Sequence, residues 1–202
     1  MKKLLAILLV ALIIFTGCDT TDVSSEISSE MDEPILEISP EDLVLAEKAA
    51  VDFGILHNVE TWDNAEEIPP HMFVRWYLDY VNTITTYEER SERYTHENYD
   101  SGWVYPQEEL EAYVQKYFDV SIEHLRSDEY SYHVEDGVYN LEYIGGASLR
   151  YEVKLAEEPI TIDGDIMYIP MELSFTGEAH DVSRTLVIRK TEEGFKYLKV
   201  ID

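Results

Sequence analysis

Met167-Tyr168-Ile169-Pro170-Met171-Glu172-Leu173-Ser174-Phe175 carries an apolar residue at every second position, and Leu149-Arg150-Tyr151-Glu152-Val153-Lys154-Leu155 does the same shortly before it. A period of two marks a half-buried strand, whose successive side chains point to opposite faces. Turn signals separate these stretches at Asp136-Gly137, Gly145-Gly146, Asp163-Gly164, Gly177 and Glu193-Gly194. From Tyr130 onward the chain therefore reads as an antiparallel meander. Pro170 has no N–H to give a ladder, so an edge or a bulge is expected there.

Upstream the apolar period lengthens to that of helices. Ser39 is placed as an N-cap, with Pro40 at the first helical position and Glu41 and Asp42 in the first turn. The stripe of that helix is Leu43, Ala46, Ala50 and Phe53. A second helix is expected after Pro69-Pro70, with Phe73, Trp76, Tyr77, Tyr80 and Ile84 on one face. A third starts at Pro106 and repeats the spacing in Leu110, Tyr113, Val114 and Tyr117, and Ser121 caps a short turn through Leu125. Helices followed by a run of strands predict an α+β domain over residues 40–202, with N-terminal helices packed on a curved C-terminal antiparallel β-sheet.

The first residues serve a different purpose. Lys2 and Lys3 precede the uninterrupted apolar run Leu4 to Phe15, which is the pattern of an export signal. As a helix the run rises only about 18 Å, short of a hydrocarbon core of roughly 30 Å. Phe15-Thr16-Gly17-Cys18 resembles the lipobox of bacterial lipoproteins, in which small residues precede a cysteine that is diacylglycerylated and becomes the new N-terminus. The resemblance implies a signal peptide at 1–17, lipidation at Cys18, and residence on the extracytoplasmic face of the cell membrane through a diacylglyceryl anchor. Residues 19–39 hold seven acids and no base and read as a disordered acidic tether.

A second resemblance rests on Ala112-Tyr113-Val114-Gln115-Lys116-Tyr117-Phe118-Asp119-Val120-Ser121, with His124-Leu125-Arg126, Gly145-Gly146 and the closing Leu186 to Leu198 hairpin. These are similar to segments of uncharacterised lipoproteins of Gram-positive anaerobes. The resemblance implies an NTF2-like (cystatin-like) cone and no particular activity.

With 42 acids against 15 bases the formal net charge is −27, a field that repels phosphate backbones and excludes nucleic acid as a partner. Any protein partner is expected to present a basic surface. Cys18 is the one cysteine, so once lipidated it leaves no thiol for a disulfide, a nucleophile or a zinc site. H-E-x-x-H, G-x-S-x-G, the Walker loop and G-x-G-x-x-G are all absent, and no cofactor or metal is implied. The acidic pairs Asp128 with Glu129, Glu135 with Asp136, and Asp163 with Asp165 lack the EF-hand spacing and are better explained as turns.

The aromatic residues make the candidate pocket: Trp76, Tyr80, Tyr113, Tyr117, Tyr151 and Tyr168. At the mouth of a cone they would stack on a small ligand, and otherwise they form the domain core. The expected function is a non-catalytic binding or interaction module with an unidentified small ligand or protein partner. The alternative is a small cone enzyme of isomerase or hydrolase type, with Asp79 or Glu172 as the pocket carboxylate.

Overall fold

The structure is a computed structural model, and the residues it describes are 38–53, 61–99, 102–141, 151–175 and 182–202. They belong to one compact unit, Glu37–Asp202. The export segment, Cys18, the tether up to residue 37, and the turns at Gly145-Gly146 and Gly177 lie outside the described residues.

Helix α1 (Pro40–Phe53) begins as its cap predicts, with the Asp42 N–H donating to Ser39 Oγ at 3.1 Å. Its buried face is Ala46, Ala49, Ala50 and Phe53. Leu43, expected on that face, is 36% exposed. Burial instead follows the alanines, which let the helix lie close to the sheet. Helix α2 (Pro70–Ile84) buries Phe73, Trp76, Tyr77 and Val81, but its last residue, Ile84, is exposed, so the expected face stops one turn early.

Apolar periodicity does not predict α3 (Tyr87–Arg93), which buries none of its residues. It is held by a capping box: Thr86 Oγ1 accepts from the Glu89 N–H at 3.2 Å, and Glu89 Oε2 accepts from the Thr86 N–H at 2.7 Å. Helix α4 (Gln107–Tyr117) buries Leu110, Glu111 and Val114. Its Glu109 ties the helices together, with Oε2 accepting from Arg93 Nη2 at 2.8 Å and from the Tyr94 hydroxyl at 3.3 Å. Helix α5 (Ile122–Leu125) is capped by Ser121, whose Oγ accepts from the His124 N–H.

The strands form two antiparallel sheets, a correction to the single meander. In the smaller sheet, β1 (Val104–Pro106) pairs with β3 (Val138–Asn140), and β3 pairs with β2 (Tyr132–His133). The larger sheet runs β4 (Tyr151–Leu155), β6 (Ile166–Phe175), β7 (Val182–Thr191), β8 (Gly194–Ile201), with β5 (Thr161–Asp163) also on β6. Gly164, at φ +62°, closes the tight turn from β5 to β6, a conformation that favours glycine.

Pro170 is neither at a sheet edge nor in a bulge: β6 is an interior strand, paired with β7 along one side. The Pro170 carbonyl accepts from the Ala156 N–H at 2.9 Å, so its nitrogen faces the side shared by β4 and β5. There β4 ends at Leu155, opposite Met171, and β5 starts at Thr161, opposite Tyr168. The missing donor falls in the gap between the two strands, where no ladder bond is lost.

Met167, Ile169, Met171, Leu186, Ile188 and Tyr197 line the sheet face that meets the helices. The fully buried Tyr197 donates to the Ala49 carbonyl at 2.9 Å, and Trp76 Nε1 donates to the Asp52 carbonyl at 3.1 Å. Both bonds pin α1, the second at carbonyls that a helix end leaves unsatisfied. The free edge of β8 is covered by a reciprocal backbone pair between Trp62 and Val200, each 3.0 Å.

Candidate functional site

Four of the six candidate pocket residues come together. Trp76, only 2% exposed, has the Tyr113, Tyr117 and Phe118 rings at 5.0, 5.3 and 5.2 Å, and Tyr80 stacks on Tyr113 at 4.0 Å with 20° between planes. The rings fill one another's surroundings, and the cluster runs on through Phe118, stacked on Tyr197 at 4.8 Å. Trp76 is thus interior packing between α2, α4 and the sheet, while Tyr80, Tyr113 and Tyr117 are half-buried at its margin. Burial pushes the Tyr113 hydroxyl up from its ordinary pKa, so it stays protonated.

The other two lie elsewhere. Tyr168 alternates with the core residues Met167 and Ile169, which puts it on the sheet face away from the helices. Tyr151 is the first residue of β4, opposite Phe175.

Open space occurs in more than one place among the described residues, one at Phe195 and Lys196 beside Tyr117 and a larger one at the segment from Arg126 to Asp136. A groove of about 540 Å³ lies between the 96–99 turn and the segment from α5 through β2, lined by Tyr99, Arg126, Tyr132 and His133 together with Glu129, Glu135 and Asp136. Asp128 shapes its wall, accepting from the Tyr130 N–H at 3.0 Å and the Ser131 hydroxyl at 2.9 Å while its carbonyl accepts from the Tyr132 N–H at 2.9 Å. Gly137, at φ +63°, turns the chain from β2 into β3. The Tyr132 hydroxyl donates to Gln107 Oε1 at 2.9 Å and fastens the hairpin to α4.

Beneath the groove lies Glu111, 5% exposed. Its Oε1 accepts from Arg126 Nε at 2.6 Å and from the Tyr139 hydroxyl at 2.9 Å, and its Oε2 accepts from Arg126 Nη2 at 2.8 Å. This two-point pairing raises the Arg126 pKa further, so the guanidinium is permanently charged. Tyr139 is pushed up first by burial and then by Glu111. The Arg126 guanidinium lies over the Tyr132 ring, 5.5 Å from its centroid. Across the groove, Asp136 accepts from the Tyr99 hydroxyl at 2.9 Å and from Asn98 Nδ2 at 3.1 Å. His133 stands edge-on to Tyr99 at 4.9 Å, with its Nε2 buried and without a partner.

The sequence marks none of these residues as a site; Asp128, Glu129, Glu135 and Asp136 have the pattern of turns. Arg126 and Glu111 are brought together by folding alone, and no spacing announces them. Of the carboxylates considered for catalysis, Glu172 is exposed opposite Lys154 on the outer sheet face, and Asp79 is half-buried on α2 beside Tyr80. Among the described residues, no group of His, Cys, Asp and Glu is arranged to hold a metal ion, and no helix is long and apolar enough to cross a membrane. Compared with known proteins, the chain matches no family model, no curated protein and no solved structure.

Proposed function

We propose that the chain is an exported lipoprotein, anchored through Cys18 on the extracytoplasmic face of the membrane, whose α+β domain is a non-catalytic binding module. The Glu111–Arg126 pair carries the binding part of this reading. It supports a groove whose lining is held rigid from below, and rigid side chains lose less entropy when a ligand arrives. The same pair argues against catalysis: the carboxylate buried under the groove is engaged by a guanidinium and a phenol, where a general base needs a free lone pair aimed at substrate.

The anchor follows from the apolar run before Cys18 and the acidic tether after it. Two acyl chains on one residue hold a protein stably where a single chain does not, even against the repulsion of a strongly acidic domain. Cys18→Ala is expected to move the protein from the membrane fraction to the soluble exported fraction. Retention of the variant in the membrane would overturn the anchor. Binding through the groove is tested by Tyr132→Ala, which is expected to abolish ligand capture at a temperature where urea unfolding shows the variant, though less stable, still folded.

A further inference from the structure

Resting on the reading of the groove as the binding surface, we infer that it takes the cationic side chain of a basic peptide segment, a lysine ammonium above all. The charges of the groove do not balance. The groove contains one permanent cation, Arg126, and that charge is already matched by the buried Glu111 through two hydrogen bonds. Glu129, Glu135 and Asp136 on the lining are therefore uncompensated. Glu129 and Glu135 are exposed, while Asp136 is oriented by Tyr99 and Asn98.

Carboxylates beside a tyrosine ring are the chemistry that recognises an ammonium: charge from the acids, and the negative ring face from Tyr99, since the Tyr132 ring already carries the Arg126 guanidinium. An ammonium has three donors, and the exposed carboxylates of Glu129 and Glu135 are acceptors for them. The source is a peptide and not a free polyamine because the groove has apolar flanks. Tyr130 and Val134 are 88% and 75% exposed on either side of β2, surface that a polyamine leaves in water and that a peptide's neighbouring side chains cover.

Calorimetry on the full-length chain in non-ionic detergent tests this with three probes: the amide-capped tripeptide Lys-Leu-Lys, its norleucine analogue without the ammonium groups, and spermidine. The lysyl peptide is expected to bind one per chain, more weakly at high salt, and the other two weakly or not at all. Glu129→Gln with Glu135→Gln is expected to weaken the peptide about tenfold, and Glu88→Gln with Glu92→Gln on α3 to change it less than about twofold, since screening confines an exposed charge to its neighbourhood. Equal losses in both double variants would show a diffuse acidic field and overturn the site. Spermidine binding as tightly as the peptide would overturn the peptide as occupant, and the norleucine peptide binding equally well would overturn the cation. If none of the cations binds but a neutral ligand is captured and then lost in Tyr132→Ala, the inference falls and the groove stands. Capture that survives Tyr132→Ala removes the groove itself.

Discussion

Glu111 and Arg126, fifteen positions apart, meet with both carboxylate oxygens accepting from one guanidinium. The acid is 5% exposed and the base about a third, so the pair joins the underside of the groove to its lining. Removing one partner strands the other. Arg126→Leu is expected to cost about 3 kcal/mol, because Glu111 then sits buried without its counter-charge. Changing Glu111→Leu in the same chain is expected to recover most of that loss, as measured by urea unfolding of the two variants. A double variant no more stable than Arg126→Leu alone would contradict the pairing.

Trp76 tests whether the aromatic cluster is core. Trp76→Ala is expected to destabilise by about 3–5 kcal/mol, the range for emptying a large buried ring site, with Trp76→Phe losing much less. Thermal melts of the two variants check this. Normal stability in Trp76→Ala would mean that the rings around it enclose open space.

Thr86 tests the helix that has no apolar stripe. Thr86→Ala removes the hydroxyl half of the capping box and is expected to cost about 1 kcal/mol. Because α3 buries nothing of its own, the loss should be local, seen as faster hydrogen exchange in 87–93 with little change elsewhere. Uniform loosening of the domain would contradict that account.

Asp42 gives a pH dependence with a definite sign. The Lys190 ammonium, then the Ser39 hydroxyl, both bonded to Asp42, hold its carboxyl below the ordinary aspartate value. A folded-state pKa below the unfolded one adds stability that is present above about pH 4 and fades as pH falls through the folded value. The melting temperatures of the native chain and Asp42→Asn should therefore differ at neutral pH and converge in acid. A difference that stays constant with pH would contradict the link.

Much of the fold is legible from local signals. Ser39 and Ser121 act as caps, prolines introduce α2 and α4, and period-two alternation runs through β6, all within a few residues of the structure they specify. What escaped depends on distant partners. Val104 pairs with Asn140, which makes a second sheet from a stretch with almost no strand pattern. Glu111 looks like a surface residue until Arg126 and Tyr139 neutralise it. The Pro170 ring is tolerated inside the sheet only because β4 and β5 leave a gap beside it, and nothing near Pro170 in sequence encodes that gap. The Thr86-to-Glu89 box was in plain view but lacked the apolar stripe by which helices are usually recognised.

The most direct test of the account is amide chemical-shift mapping on the ¹⁵N-labelled full-length chain in non-ionic detergent, titrated with the capped Lys-Leu-Lys peptide. The account predicts shifts confined to Tyr99, to the segment from Arg126 to Asp136, and to the adjoining Gly137, saturating together with one affinity. Shifts centred on Trp76, Tyr80 and Tyr113, or small shifts spread over every acidic surface, would contradict it.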